Sequence, residues 1–414
     1  MGRLTNRSNV YIGATLVALL IGLGIGQTAL ERASAQGKTG VQAPRFEVDP
    51  LWPKPLPNHW LLGSTIGVSV DDQDHVWIIQ RGGATLNAVT EMSAATTPPT
   101  AEPCCEPAPP ILEFDSAGNL LRHWGGTSGE GYTWPESNHG ITVDYKGNVW
   151  IGGNGQNDAH VIKFTKDGKF LTQYGRPGAR RTSPAGAEKP AWAGNSNDTE
   201  SFGRVAKIFV DPKANEAYIA DGYLNKRVVV IDADTGTFKR YWGAYGHKPD
   251  DADLGRYNPD DPPAQQFRNP VHCAMLSTDG LVYVCDRAND RIQVFKPDGT
   301  FVKEVFIAKK TLGDGSVWDL VFSKDLQQKY IFLADGKNEK IYIIDRQSLE
   351  ILTSFGDGGR QPGQFFGVHS IAADSKGNIY TTETYEGKRL QKFVYKGMAP
   401  VTTLDQGTVW PSLK

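Results

Sequence analysis

Three of the eight histidines of this 414-residue chain share one position in a repeated strand pattern. They are His139, His272 and His369, and each stands five residues before the residue that ends its strand. Three neutral imidazoles with a fourth position left open are typical of a catalytic zinc site, although copper, nickel and iron also accept them. The histidines therefore predict a metal centre if the fold brings their strands to one point. Three separately packed structural histidines are the alternative.

The elements that must position these histidines are short strands. An apolar alternating strand runs into a turn rich in Asp, Lys, Gly and Asn, as in residues 140–151 and 370–380. Three further strands follow, and the last one ends in an aromatic residue and Gly. Alternation with a period of two, combined with Asp-Gly and Gly-Asn turns, indicates β-hairpins. Four short strands per repeat are typical of a propeller blade.

Six such repeats align on the residues that end their first strands: Asp71, Asp144, Asp211, Ser277, Ser323 and Asp374. The sequence therefore predicts an all-β fold, a six-bladed β-propeller. Five residues earlier, a position called the register position below, the chain reads Ile66, His139, Ala206, His272, Trp318 and His369. Alternate blades of a sixfold ring lie about 120° apart, so the three imidazoles should meet on the axis. Residues 45–49 resemble a fourth strand that completes the last blade and closes the ring.

The loops between second and third strands return to the end of the blade where the histidines begin. They contain Arg81, Tyr223 and Arg287, which should border the metal. A guanidinium suits a carboxylate, and a phenol beside a dication loses its proton more easily and can act as general base. Ordinary ion pairing of the arginines and stacking of the tyrosine are the alternatives. The acidic residues that recur in these loops are interpreted as turn-forming: Asp221, Asp286 and Asp335.

The N-terminus has the three parts of an export signal. Arg3 and Arg7 precede an uncharged stretch, and Ala33-Ser34-Ala35 offers a small-residue cleavage site. The apolar run over residues 11–26 is shorter than the roughly 20 residues of a spanning helix, so cleavage is expected and an uncleaved anchor is the alternative. We therefore expect a signal peptide over 1–35 and one propeller domain over 36–414, with long inserts near 90–110 and 177–199. The mature protein should be periplasmic or extracellular, with no membrane attachment.

Charge and cysteine content limit the classes of partner and the role of disulfide bonds. With 44 basic and 46 acidic residues the net charge is −2, which argues against a nucleic-acid partner. A small anionic or peptide-like substrate fits the two arginines better. Four cysteines do not make a disulfide framework, and their pairing is left open: Cys104, Cys105, Cys273 and Cys285. Because strand side chains alternate, Cys273 should point away from the channel if His272 points into it.

With these residues assembled, the chain resembles the lyase domain of the peptide alpha-amidating enzymes, within the wider group of NHL-repeat propellers. The resemblance covers residues 67–393 and is most specific at 68–72, 139–144, 218–223 and 284–287. It implies cleavage of peptidyl-alpha-hydroxyglycine to a peptide amide and glyoxylate. It also implies roles for six residues: His139, His272 and His369 as zinc ligands, Tyr223 as base, and Arg81 and Arg287 as active-site arginines.

The chain departs from that family at several positions. Ser370 stands where the family places an Asp that serves a structural calcium, which argues against calcium here. Leu224 stands where one family cysteine would be. No segment reads as a hydroxylating domain, so a hydroxyglycine substrate is expected to come from elsewhere. The alternatives are a non-enzymatic NHL-repeat propeller that binds a protein, peptide or glycan and, ranked lower, a metal-dependent hydrolase.

Overall fold

The computed structural model describes residues 40–411. The expected signal peptide and its cleavage site lie outside these residues. Within them, no helix combines the length and apolar character that a bilayer span needs. Helical structure in this part of the chain consists of one turn at Gly82–Thr85 and three 3-10 turns. The rest of the regular structure is strand, which confirms the predicted all-β fold.

Six antiparallel four-stranded sheets form the blades. Each of the first five blades is one continuous stretch of chain, with its inner strand first. Blade 1 contains Thr65–Val70, Val76–Gln80, Ile111–Phe114 and Leu120–Trp124. Blade 2 contains Asn138–Val143, Asn148–Gly153, His160–Thr165 and Phe170–Gly175. Blade 3 contains Val205–Asp211, Glu216–Asp221, Arg227–Asp232 and Phe238–Trp242.

Blade 4 contains Val271–Leu276, Val282–Asp286, Arg291–Phe295 and Phe301–Phe306. Blade 5 contains Asp319–Phe322, Tyr330–Asp335, Lys340–Asp345 and Ile351–Phe355. Blade 6 combines Val368–Ala373, Ile379–Glu383 and Arg389–Pro400 with the N-terminal strand Gln42–Asp49. Neighbouring inner strands contact one another in cyclic order, and blade 6 contacts blade 1. The chain is therefore a six-bladed β-propeller whose ring is closed by the N-terminal strand, as the sequence predicted.

The aspartates at the ends of the inner strands explain why the strands stop there. Asp144 accepts backbone N–H groups from Lys146 and Asn148 at 2.9 and 2.8 Å, which closes the turn into the second strand. Its other oxygen accepts the indole N–H of Trp150 at 2.8 Å. An Asp side chain that bonds the backbone two residues on is a common turn device. Here the same carboxylate also orients a fully buried tryptophan of the second strand.

The apolar core lies between adjacent blades. One cluster joins Ile66 and Trp77 of blade 1 to Ile151 and Phe164 of blade 2, and the other clusters span neighbouring blades in the same way. Burial of apolar surface stabilises a fold by roughly 25 cal/mol per Å². Because each blade buries its apolar side chains against the blades on either side, its two neighbours are its main source of stability. Because this packing lies between the blades, the residues that line the central channel are those at the start of the inner strands.

Both long inserts leave the ring at the end where the inner strands begin. The insert near 90–110 is tied to blade 6 by an ion pair between Glu91 and Lys388 at 2.7 Å. The insert near 177–199 is tied to the blade 3 to blade 4 connection, because Ser196 donates to Asp251 at 2.5 Å. Both inserts therefore border the mouth of the channel that the histidines face.

The cysteines form two pairs of different kinds. Cys273 and Cys285 are cross-strand partners in blade 4 and form a disulfide with Cα atoms 4.8 Å apart. Their side chains lie in the core between blades 4 and 5, so Cys273 points away from the channel, as expected. Cys104 and Cys105 form a vicinal pair in the first insert.

Candidate metal centre

The structure brings the three register histidines together on the propeller axis. His139, His272 and His369 come from blades 2, 4 and 6, and their candidate ligand atoms all lie within 4.8 Å of one another. Their ring centroids are 4.8 to 5.2 Å apart. All three side chains are buried. The imidazoles therefore form one compact face at the top of the channel.

A β-bulge at the register position aims these side chains into the channel. His272 and His369 are each the extra residue where the pairing with the second strand shifts by one. In blade 2 the extra residue is Gly140, directly after His139. Gly140 has a φ of +66°, and a Cβ there would lie 2.4 Å from the carbonyl oxygen of Ala206. The close approach of blades 2 and 3 thus requires glycine at this point.

The backbone of the next blade fixes the orientation of two imidazoles. The Nδ1 of His139 donates to the carbonyl of Ala206 at 2.8 Å, and the Nδ1 of His272 donates to the carbonyl of Trp318. A carbonyl can only accept, so each Nδ1 carries the proton and each Nε2 presents a lone pair. The Nδ1 of His369 is buried and has no hydrogen-bond partner among the described residues.

The three imidazoles are neutral. Burial lowers the pKa of all three well below the ordinary value of 6.5. The positive charge of Arg81 adds to this effect at His139, and that of Arg287 adds to it at His272. Neutral imidazole is the form that binds a metal.

Tyr223 reaches the same face from the loop of blade 3. Its hydroxyl lies 2.9 Å from Nε2 of His139 and 3.0 Å from Nε2 of His272. A hydroxyl carries one proton and can donate to only one of these two lone pairs, so the other faces the phenol oxygen without a proton between them. A cation held by the Nε2 atoms would relieve this repulsion, and the donor set of three nitrogens suits zinc. The residues present therefore fit a bound metal.

Two arginines lie near Tyr223, Arg81 from the loop of blade 1 and Arg287 from the loop of blade 4. Arg287 is buried, donates from Nη1 to the hydroxyl of Tyr223 at 3.3 Å and stacks on Trp318 at 4.4 Å from the ring centroid. Its Nε has no hydrogen-bond partner within residues 40–411. Arg81 donates to the carbonyl of Asn138 at 3.1 Å and to Oδ1 of Asn154 at 2.7 Å. Both guanidinium groups thus retain donors that can turn toward a bound anion.

Two residues at this mouth were not foreseen. Tyr385, in the loop of blade 6, lies 6.3 Å from Trp318 by ring centroids, and its hydroxyl contacts Asp314 at 3.3 Å. Asp314 in turn lies 3.7 Å from Arg287. Asn154, which orients Arg81, belongs to the loop of blade 2, where the chain lacks the Asp found in blades 3, 4 and 5. In the loop of blade 6, Tyr385 stands two residues after Glu383, as Tyr223 stands two residues after Asp221 in blade 3. This shared spacing is the sequence signal that could have identified it.

The recurring loop carboxylates are structural. Asp221 accepts the N–H of Gly203 at 2.6 Å and pairs with Arg227 at 2.8 Å. Asp286 accepts the N–H of Arg268 at 3.0 Å and pairs with Arg291 at 2.8 Å. Asp335 accepts N–H groups within its own turn. These carboxylates hold the loops that carry Tyr223 and Arg287.

A second group of potential ligands, on blade 1, is already neutralised. Glu113 contacts His75 at 2.8 Å and Arg122 at 2.6 Å, and Asp71 contacts Lys166 at 2.8 Å. A cation there would have to displace these partners, so the axial face is the better candidate.

Comparisons with known proteins agree with the fold. No family model matches the chain. NHL repeat-containing protein 3 of Mus musculus is 26% identical over 374 residues, which cover 86% of this chain and 85% of that protein. Peptidyl-glycine alpha-amidating monooxygenase B of Xenopus laevis is 30% identical over 255 residues, covering 60% of this chain but a quarter (25%) of its own length. Peptidyl-alpha-hydroxyglycine alpha-amidating lyase 1 of Drosophila melanogaster is 23% identical over 381 residues, covering 85% and 60%.

These relatives support an NHL-repeat propeller, which is the broader part of the resemblance. Among solved structures, a streptogramin B lyase has a TM-score of 0.49 at 12% identity, covering 86% of this chain and 98% of that one. Virginiamycin B lyase from Staphylococcus aureus has a TM-score of 0.44 at 16% identity, covering 85% and 90%.

Proposed function

We propose that this protein is a metal-dependent lyase that cleaves the C–N bond of an alpha-hydroxyglycine-type substrate to an amide and glyoxylate. One observation carries the proposal: the Tyr223 hydroxyl lies within hydrogen-bond distance of two imidazole Nε2 atoms and of Arg287. This arrangement supports a reaction that needs a base, a metal-binding face and a carboxylate-binding group at one point. The similarity to proteins named for peptide amidation supports this reaction class.

The residues that would hold the metal are His139, His272 and His369, with zinc the preferred ion for three neutral nitrogens. A bound dication supplies positive charge that stabilises a substrate hydroxyl as it loses its proton.

Tyr223 acts on that hydroxyl, because its oxygen lies against the metal face. This step requires the phenolate form of Tyr223: its oxygen takes the substrate proton, and the electron pair of the O–H bond becomes the new C=O bond of glyoxylate. The electron pair of the C–N bond leaves with nitrogen, which takes a proton and becomes the primary amide. The tyrosine proton supplies this last step, so the reaction returns Tyr223 to its starting state and needs no co-reactant.

Arg287 and Arg81 bind and orient the substrate carboxylate. The guanidinium plane of Arg287 is held by Trp318, which leaves the buried Nε–H and the Nη groups for an anion. A planar fork of donors matches a carboxylate, and a buried site strengthens the pairing. Tyr385 lies at the same mouth, near Trp318.

Substitution of Tyr223 tests the reaction. Tyr223→Phe removes the base but none of the nitrogen ligands, so we expect a normal metal content and a loss of glyoxylate release of about 10²–10⁴-fold. The measurement is glyoxylate released from an N-acyl-alpha-hydroxyglycine by the metal-loaded protein. Tyr145→Phe is the matched control, since Tyr145 is exposed and lies in the turn between the first two strands of blade 2, where its hydroxyl donates to Asn215. Unchanged release from Tyr223→Phe, or no release from metal-loaded wild-type protein, would refute the lyase.

Export through the N-terminal signal is part of the proposal. The disulfide between Cys273 and Cys285 supports it, because such bonds persist mainly in oxidising compartments. Mass analysis of the exported protein should find an N-terminus near residue 36.

A further inference from the structure

A second set of side chains faces the channel, one residue after the register position in blades 3, 5 and 6. They are Lys207, Asp319 and Ser370. Together with the three histidines they line one small internal cavity. This second layer is not required by the proposed reaction, yet it is charged and buried.

The three side chains form a closed network. The ammonium group of Lys207 contacts both carboxylate oxygens of Asp319, at 2.7 and 2.6 Å. Ser370 donates its hydroxyl to Asp319 at 2.6 Å. Backbone N–H groups of Leu320 and Ile371 donate to the same carboxylate at 2.9 and 3.1 Å. The side chains of Lys207 and Asp319 are only 11% and 2% exposed, so this pair is held away from solvent.

This layer does not fit the structural calcium that the family resemblance implies. Calcium takes six to eight oxygen ligands and a surplus of negative charge. The cavity offers one carboxylate, Asp319, and Lys207 already neutralises it. Ser370 stands where a second carboxylate would be needed. The layer nevertheless contains one positive charge at a fixed position, which is the ammonium group of Lys207.

The network joins the backbone segments that orient the histidines. Lys207 follows Ala206, whose carbonyl receives the Nδ1 proton of His139. Asp319 follows Trp318, whose carbonyl receives the Nδ1 proton of His272. Ser370 follows His369 itself. A shift of any of these inner strands would therefore move one imidazole relative to the other two.

We propose that Lys207 is the built-in cation of the channel: its ion pair with Asp319, extended to Ser370, positions the three-histidine face and makes that face independent of calcium. Lys207 is a positioning residue, because it acts through the backbone of blades 3, 5 and 6. The inference rests on the metal-binding part of the proposed function but not on the lyase reaction.

The test measures Co²⁺ affinity, the Co²⁺ absorption spectrum and thermal unfolding of the full-length protein. Lys207→Met leaves the Asp319 carboxylate buried and unpaired, so we expect its Tm to fall by about 5–10 °C. Lys207→Met/Asp319→Asn removes both charges and should recover most of that loss. Both variants should bind Co²⁺ about 10–100-fold more weakly, with an altered spectrum, because the support of the ligands is lost. Lys146→Met, which removes an exposed ion pair with Asp234, is the matched control and should change none of the three measured quantities.

Three results would overturn the proposal. The first is a double variant that binds Co²⁺ with wild-type affinity and spectrum, since the network would then be merely structural. The second is wild-type protein whose Tm rises by several degrees with millimolar Ca²⁺ or falls with a calcium-selective chelator. The third is wild-type protein that binds no Co²⁺, which would also remove the metal centre. Tight Co²⁺ binding without glyoxylate release would refute the lyase alone and leave this inference intact.

Discussion

Even-numbered and odd-numbered blades place different chemistry at the same register position. Blades 2, 4 and 6 contribute an imidazole, whereas blades 1, 3 and 5 contribute Ile66, Ala206 and Trp318. Two of these odd-blade residues receive a histidine Nδ1 proton on their backbone carbonyls. The even blades thus supply the candidate ligand atoms, and blades 3 and 5 set which nitrogen of His139 and His272 carries the proton. In the even blades, the proposed metal binding therefore depends on the side chain at the register position. In the odd blades it depends on the position of the backbone there.

The largest effect is expected from the even blades. His139→Ala removes one of three ligands, so the metal content should fall below about a tenth of an ion per chain, and activity should be lost with it. The measurement is metal stoichiometry by atomic emission after reconstitution. His123→Ala, an exposed histidine outside the register, should retain a full complement. A variant that still binds one ion would show that blades 2, 4 and 6 do not act as a set.

A smaller effect is expected at Arg287, which stacks on the odd-blade residue Trp318. Arg287→Lys keeps the charge but loses the stacked fork, which corresponds to about 1.5–3 kcal/mol of charge-assisted hydrogen bonding. We expect kcat/KM to fall about 10–100-fold, mainly through KM, while metal content is unchanged. A fall in metal content would contradict the separation of ligand face and anion site.

The pH dependence of the metal-free protein should follow the even blades. Their three imidazoles have a pKa well below 6.5 in the fold because of burial, whereas unfolded histidines titrate near 6.5. Below about pH 6.5 the unfolded state therefore binds more protons, and the free energy of unfolding decreases as the pH falls. Calorimetry between pH 7.5 and 5.5, a range set by that value, should show a falling Tm.

A triple variant, His139→Gln/His272→Gln/His369→Gln, isolates this effect and should lose it. The comparison is needed because burial raises the pKa of Asp290 to about 7. Below that pH the folded state binds this proton more readily than the unfolded state, so in both proteins Asp290 makes the free energy of unfolding rise as the pH falls. Parallel Tm curves for the two proteins would mean that the imidazoles do not titrate as their burial requires.

The smallest effect is expected from an odd blade. Ile66→Val keeps the carbonyl that faces His369 and removes one buried methyl group. The free energy of unfolding should fall by about 0.5–1.5 kcal/mol, while the metal affinity changes less than about threefold. A larger loss of affinity would show that the side chains of the odd blades, and not only their backbone, shape the metal face.

The blade count was predictable because each inner strand ends at a residue that closes a turn, as Asp144 does, and these residues recur at recognisable spacing. The grouping of the histidines followed from that count. The second layer was not predictable, because strict alternation would turn Lys207 away from a channel that Ala206 faces. The bulge at Ala206 breaks the alternation, so both residues reach the channel side. Tyr385 was missed for a different reason: it stands two residues after Glu383, as Tyr223 stands two residues after Asp221, but Glu383 is not an aspartate and the two loops were not compared at that spacing.

Blade 6 draws on both termini of the propeller, since its outer strand is Gln42–Asp49 and its inner strand holds His369. During vectorial synthesis, His139 and His272 can be in place while the last blade is still missing. The earliest strand must wait for the latest one before the third imidazole is secured. If the proposed metal binds there, its capture is coupled to the completion of blade 6, and a product truncated before His369 would lack one of the three imidazoles.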